Sequence, residues 1–469
     1  MQSQHAELVI IGAGPGGYVS AIRAAQLGLN VALIERQDVG GVCLNRGCVP
    51  TKTLLHTADI YDEALQGADI GIELGSIKIN YETLRGRKND ICTGLREGVE
   101  QLLDANGVIL HRGNAVVQSD CLVSVCASDG TATSISFDKL IIASGSNPAV
   151  PPIEGINCDN VYNSDTILDE VPEIESLCII GGGVIGMEFA NLYRSLGTKV
   201  YVIEAASRIL STIDKEFSQT LSMKLKKDGC EIACNAFVEK IENIGSKCQV
   251  SYSQNDKDAK ILASAVLVCT GRTANTGGLF AEDFKLDCDR GRISVDDLMQ
   301  TSVKNIYAIG DVCNYGIQLA HAASAQGLIA VEHIAGREVR IKPHIVPSCV
   351  YTNPEIATVG LTEAEAKERG IEYRIGKIAM TANAKTQIAK LSRGFIKVVV
   401  DKNDKVIGAH VMCGRATDLI DEFVLAIANE MTVADMLKSV RAHPTFAEAI
   451  GEAFEQLEDG AIHALPKRK

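Results

Sequence analysis

One five-part pattern occurs twice in this chain of 469 residues, and it leaves little freedom in the fold. Glu7-Leu-Val-Ile-Ile-Gly12-Ala-Gly14-Pro-Gly-Gly17 reads as a buried strand running through a glycine loop into a helix that ends at Gly28. The next strand, Asn30 to Glu35, ends on an acid. Leu177-Cys-Ile-Ile-Gly181-Gly-Gly183-Val-Ile-Gly186-Met-Glu188 repeats the arrangement, with a helix to Gly197 and a strand from Thr198 to Glu204. The offset from first glycine to terminal acid is the same in both copies. In G-x-G-x-x-G the first glycine permits the tight turn and the second lets a pyrophosphate approach the backbone. The third lets helix and strand pack closely, and the acid accepts hydrogen bonds from a ribose diol. One such loop is weak evidence, since glycines also gather in ordinary turns. Two in register specify two Rossmann-like dinucleotide domains.

A second signal follows the first acid: Gly40-Gly41-Val42-Cys43-Leu44-Asn45-Arg46-Gly47-Cys48-Val49-Pro50-Thr51-Lys52. On an undistorted helix, residues five apart lie roughly 8–9 Å apart between Cα atoms. A disulfide tolerates at most about 7 Å. The cysteines can therefore bridge only if the chain bends between them, and Gly47 is able to allow that. A loop this small would stabilise the fold by roughly 2 kcal/mol, which suits a redox switch better than a staple. Two buried free thiols are the plain alternative; the adjacent nucleotide loop favours the switch.

Cys121 and Cys126 share the spacing but flank Leu-Val-Ser-Val, an alternating strand without glycine, proline or a following lysine. Cys230 and Cys234 have no CxxC pair or histidine nearby, so no metal site is expected. Fifteen scattered cysteines fit a reducing compartment rather than a disulfide-stapled fold.

The length exceeds what one core usually serves, so two to four domains are expected. A net charge of −13 argues against a nucleic-acid or anionic-membrane surface. Lys467-Arg468-Lys469 is too short to change that and reads as a solvated tail. The N-terminus has no basic start or apolar run, and the first strand is expected near Glu7, so no signal peptide is read. The longest apolar stretch, Cys178 to Tyr193, is broken by Glu188 and glycines, so no membrane span is expected. The expected location is cytoplasmic.

The Cys43–Lys52 segment resembles the GGxCxNxGCxPxK motif of the flavin-dependent pyridine-nucleotide disulfide oxidoreductases. Its wording is closest to the branch that oxidises dihydrolipoyl groups, and the resemblance covers essentially the whole chain. It implies an α/β fold: an FAD-binding domain over 1–149, an NAD-binding domain over 150–273, a central domain completing the FAD site over 274–346, and an α+β interface (dimerisation) domain over 347–469. For FAD it implies Gly12, Gly14, Gly17, Glu35, Lys52, Ala115, Gly145, Asp311 and Ala320. For NAD it implies Gly181, Gly183, Gly186, Glu188, Glu204, Val238 and Gly271. After Glu204 come Ala205 and Ala206, not arginines, and Arg208 reads as a surface charge, so NAD is preferred over NADP. Alone, Asp311 after Gly310 would be only a turn residue; its order behind the two loops promotes it. Ser144 and Ala274 depart mildly from the family's usual threonine and proline.

From Pro347 the character changes, to strand, turn and strand, then a helix boxed by Thr362 and Glu365 and closed by Gly370. Strands at 394–400 and 406–412 and a long helix from about Thr417 follow. Lys385 stands where relatives tend to carry arginine, and a lysine cannot make a bidentate pair there. Arg441-Ala442-His443-Pro444-Thr445-Phe446-Ala447-Glu448 resembles the segment that supplies the family's base, His443, oriented by Glu448. Read alone, Thr445-x-x-Glu448 is a capping box and His443 a helix-entry residue; Glu448 can serve both ways.

The resemblance further implies a Cys43–Cys48 redox disulfide, with Cys43 facing substrate and Cys48 facing the flavin. Lys52, on a helix starting at Pro50, would face the flavin and pair with Glu188. It implies a homodimer whose His443 segment reaches the partner's disulfide. The implied substrate is a dihydrolipoyl group on a lipoyl domain or carrier protein, within a multienzyme complex. The alternatives are another disulfide reductase of the family or a non-catalytic flavin-binding subunit. Cys413, the last cysteine, lies too early for a second C-terminal redox pair, and the Cys43, Cys48 and His443 set speaks against a silent subunit.

Overall fold

The computed structural model describes residues 2–391 and 394–465, so the Lys467-Arg468-Lys469 tail lies outside the described residues. The strand Gln2–Ile11 sits inside a seven-stranded sheet, parallel to Val31–Glu35 on one side and Ala132–Ile142 on the other. Leu8, Val9, Ile10 and Leu33 are wholly buried. Such continuous apolar runs are what a parallel sheet covered on both faces requires, and each side chain contributes about 1.5–3 kcal/mol by leaving water. The strand begins earlier than the sequence suggests, because Gln2–Ala6 pair with Thr133–Phe137. That polar start carries no apolar signal, and its partner strand supplies the register.

The second copy builds a five-stranded parallel sheet in the order Glu231–Cys234, Lys199–Glu204, Ser176–Ile180, Ala265–Val268, Val161–Asn163. An antiparallel three-stranded sheet, Ala236–Ile244, Lys247–Gln254 and Lys257–Ala263, packs beside it. The chain then returns to the first unit. Ile306–Ala308 joins Ala132–Ile142 in parallel, and the helix Ala320–Ile334 lies against the helix Pro15–Gln26. The two helices approach through small residues: a Cβ on Gly327 would sit 2.3 Å from Ser20 Oγ. Arg23 donates from Nε and Nη2 to Glu332 across the same contact, at 2.8 and 2.6 Å.

The last unit is an antiparallel five-stranded sheet in the order Ser348–Val350, Glu355–Gly360, Val406–Cys413, Phe395–Asp401, Tyr373–Ala379. The helices Ala416–Ala428 and Glu448–Glu455 cover it through Phe423 and Phe454, both fully buried. The Thr362–Glu365 capping box forms as read, ahead of the helix Glu363–Glu368. A buried cation ties this unit to the second: Lys397 Nζ lies 2.9 Å from Asp214 and 2.7 Å from Glu363. Among the described residues, no helix is long and apolar enough to cross a membrane.

Candidate active site

Each glycine loop is shaped by what a side chain would strike. Gly12 turns at φ +98°, and a Cβ there would lie 2.3 Å from the Ala143 carbonyl oxygen. A Cβ on Gly17 would lie 1.7 Å from the Gly12 oxygen, so only glycine lets the helix Pro15–Gln26 sit this close to its strand. Gly181 and Gly186 repeat both constraints ahead of the helix Val184–Ser195. Gly14 and Gly183 are the N-caps, leaving helix-terminal N–H groups open to an anion.

The two acids are held alike. Glu35 accepts from the Ala13 and Gln37 N–H groups, each at 2.7 Å, and Glu204 accepts from Gly182 and Ala206. Those bonds fix each carboxylate while leaving acceptor sites for ribose hydroxyls. Arg208 is half-buried and is no phosphate clamp. It donates to the carbonyls of Leu210, Ser211 and Ile213, so its guanidinium is committed to its own loop.

Both loops open on one cleft of about 2250 Å³. Single small-molecule pockets run to about 1,000 Å³, so this one has room for two dinucleotides. Gly12, Gly14, Glu35, Lys52, Ala115, Gly145, Asp311 and Ala320 line it at the first loop, and Gly181, Gly183, Glu188, Glu204, Val238 and Gly271 at the second. Gly17 and Gly186 do not line it; they serve helix–strand packing. Asp311 accepts from Ser146 Oγ, which in turn takes a 2.7 Å bond from Arg272 Nε. These cradles and oriented acids fit an FAD at the first loop and a pyridine nucleotide at the second.

The cysteine segment is fastened to the first loop. Gly40 N–H donates to Ala13 O at 2.8 Å, and a Cβ on Gly41 would strike Gly14 Cα at 2.6 Å. Asn45 Nδ2 donates to Val39 O and Gly41 O, both at 2.9 Å. The helix Gly41–Arg46 stops at Gly47, and a new helix, Cys48–Leu65, starts immediately. This is the break the spacing demands, and the second helix starts at Cys48 rather than Pro50. The break brings the two thiols into hydrogen-bond contact.

Their acidities diverge. The hydrogen bond from Cys43 and the nearby Lys52 ammonium hold the Cys48 thiol down at about 7, against desolvation by the surrounding protein and the Glu188 carboxylate. The same hydrogen bond and burial push the Cys43 thiol far up. The thiolate is the reactive form, so Cys48 is the member of the pair poised to carry charge.

Lys52 Nζ lies 2.7 Å from Glu188 Oε2, and Glu188 Oε1 accepts from the Tyr351 N–H at 3.1 Å. Lys52 also sits over the Tyr351 ring, 4.5 Å from its centre. The sequence reading did not single out Tyr351 or Arg272: Arg272 follows Gly271 in a recognised segment, but its bonds to Ser146, like those of Tyr351 to Glu188 and Lys52, come from tertiary packing.

His443 and Glu448 form a second centre. His443 Nδ1 lies 2.8 Å from Glu448 Oε1, and Thr445 N–H donates to Glu448 Oε2 at 2.9 Å. Against partial burial, the Thr445 N–H and the imidazole hold the Glu448 carboxyl below its ordinary value. Thr445 is not the helix cap. Ala447 holds that position, and the Thr445 hydroxyl donates to Ala442 O instead. The His443 side chain is 72% exposed, and neither residue lines the cleft. Within one chain the pair thus stands outside the cleft that Cys43 and Cys48 line.

Residues 6–327 match the pyridine nucleotide-disulphide oxidoreductase family model, and residues 346–454 match that family's dimerisation domain. The chain is 38% identical to the dihydrolipoyl dehydrogenase of Bacillus subtilis, covering 97% of this chain and 99% of that one. It is 36% identical to the mitochondrial dihydrolipoyl dehydrogenase of Pisum sativum, over 98% and 93%. LpdA from Mycobacterium tuberculosis superposes with a TM-score of 0.89 at 25% identity, covering 97% of this chain and 99% of that chain. Two nucleotide cradles on one cleft, a broken-helix cysteine pair between them and matches spanning both halves of the molecule place this chain in the pyridine nucleotide-disulphide oxidoreductase family.

Proposed function

We propose that the chain acts as a dihydrolipoyl dehydrogenase, oxidising a dihydrolipoyl dithiol to its cyclic disulfide with NAD⁺ as the acceptor. The observation that carries this reading is the cysteine pair itself, bent together at Gly47, split in acidity and seated between two nucleotide cradles. Bound FAD supplies a two-electron relay between the cysteines and the nicotinamide.

In the oxidised enzyme Cys43 and Cys48 share a disulfide. His443, from the second subunit of a homodimer and oriented by Glu448, takes the proton of one substrate thiol. The resulting thiolate attacks Cys43 Sγ, so a substrate–Cys43 bond forms as the Cys43–Cys48 bond breaks. Cys48 leaves as the thiolate, the form its environment favours. The second substrate sulfur then attacks the first as its own proton passes to the departing Cys43 sulfur, releasing Cys43 as a thiol and closing the cyclic disulfide. The substrate has lost two electrons and the cysteine pair has gained them. Lys52, paired with Glu188, holds positive charge beside Cys48 and stabilises that thiolate.

The Glu204 carboxylate selects a ribose diol at the second loop. The domain limits read from the sequence, 149/150, 273/274 and 346/347, remain part of this proposal, as does service to a lipoyl-bearing multienzyme complex. Steady-state assay of free dihydrolipoamide against NAD⁺ and NADP⁺ tests the reading. Turnover with NAD⁺ supports it. A protein that takes up only the flavin's two electrons on dithionite titration would instead be the non-catalytic subunit.

A further inference from the structure

The chain has ten phenylalanines, eleven tyrosines and no tryptophan. Phe237 is the single exposed aromatic among the described residues, at 58% exposure, and it lines the cleft. Its position is tied to the second nucleotide acid. Glu204 is registered beside Cys234 in the parallel sheet. The chain turns at Asn235, whose N–H donates to Ala206 O at 3.0 Å. Ala206 N–H in turn donates to Glu204 Oε1 at 2.6 Å. Two residues past that turn, Phe237 opens the strand Ala236–Ile244, where it pairs with Ser253. Its neighbours Ala236 and Val238 belong to the core packed beneath, so the alternation of the strand turns the ring away from that core.

We propose that Phe237 is the adenine platform of the second nucleotide site, stacking on the base of the bound pyridine nucleotide and setting its affinity. This rests on the reading of the second loop as a dinucleotide site. In such a site the terminal acid marks the adenosine ribose, so the base lies next to Glu204. The nearby cleft residues Ala205, Ser211 and Thr212 offer no ring, and Phe189, the other phenylalanine of the cleft, is buried at 2% exposure, which leaves Phe237 to present an open π-face. Stacking is indifferent to nicotinamide chemistry. The ring therefore acts on ligands that carry adenine and on no others.

Calorimetric titration of the FAD-loaded dimer with ADP-ribose, NAD⁺ and nicotinamide mononucleotide tests this. Phe237→Ala should weaken ADP-ribose and NAD⁺ by the same factor, roughly tenfold, equal to about 1.4 kcal/mol and within the range of base–aromatic stacking. The mononucleotide, which lacks adenine, should bind both proteins alike. Phe237→Trp should restore affinity. As the sole tryptophan it should change emission on adding ADP-ribose and not on adding the mononucleotide. Wild-type protein that binds ADP-ribose while Phe237→Ala binds it equally well overturns the platform alone. Wild-type protein that does not bind ADP-ribose overturns the nucleotide reading of the second loop, and the platform with it.

Discussion

Glu204 should decide which pyridine nucleotide the enzyme uses, and removing its charge without its shape is the sharpest perturbation. The carboxylate cannot swing away, because the Gly182 and Ala206 N–H groups hold both of its oxygens. Arg208, the next arginine along the chain, is already engaged by three carbonyls of its own loop. A 2′-phosphate would therefore meet an unscreened, fixed anion. Two unit charges about 4 Å apart interact by about 1 kcal/mol in bulk water and about 4 kcal/mol near a protein surface. Half-buried Glu204 falls between these limits, giving a penalty of about 3 kcal/mol, or roughly a hundredfold at 1.4 kcal/mol per decade. The assay is kcat/KM for NAD⁺ and NADP⁺ with dihydrolipoamide held constant. Wild type should favour NAD⁺ by at least about a hundredfold. Glu204→Gln keeps one amide oxygen as acceptor, so most of its effect should appear as gained NADP⁺ activity. Glu204→Ala should lose NAD⁺ activity as well, because it also frees two backbone donors. Equal use of both nucleotides by wild type, or an unchanged ratio in Glu204→Gln, would refute the electrostatic argument.

Three further outcomes are expected. Cys43→Ser should abolish lipoamide turnover while leaving the long-wavelength absorbance of a Cys48 thiolate against bound FAD, and Cys48→Ser should lose both; a band in both mutants would reverse the assignment. In two-electron-reduced enzyme that absorbance should appear as pH rises through about 7, the value at which Cys48 is held. Because Lys52 lowers it, Lys52→Met should move the transition to higher pH, and a shift to lower pH would contradict the geometry. Co-expressing Cys43→Ser with His443→Gln, each inactive alone, should yield heterodimers with one intact site of two; isolated heterodimers as inactive as the parents would show that the site is not shared.

Much of this molecule was legible because its chemistry is local in sequence. The glycine loops announce themselves through clashes within a few residues, as Gly17 against Gly12 illustrates. The bend between Cys43 and Cys48 follows from the disulfide's reach and a single glycine. The pairing of Lys52 with Glu188 was also anticipated, although it spans more than a hundred residues, because both belong to recognisable motifs.

What the letters withheld is what distant segments do to each other. Tyr351 belongs to no motif, yet its N–H and ring complete the Lys52–Glu188 network from the far unit. Arg208 looked like a free charge until three carbonyls of its own loop closed on it. Thr445 and Glu448 carry the spacing of a helix cap, and the carboxylate does accept from the Thr445 N–H, but the Thr445 hydroxyl donates to Ala442 O and the helix begins later. The start at Gln2 has the same origin, since only the partner strand fixes where pairing stops. Local sterics and covalent reach are written in the order of residues. A carboxylate's partner, a guanidinium's occupancy and the place of His443 outside the cleft are set by packing, which the sequence specifies only through the whole fold.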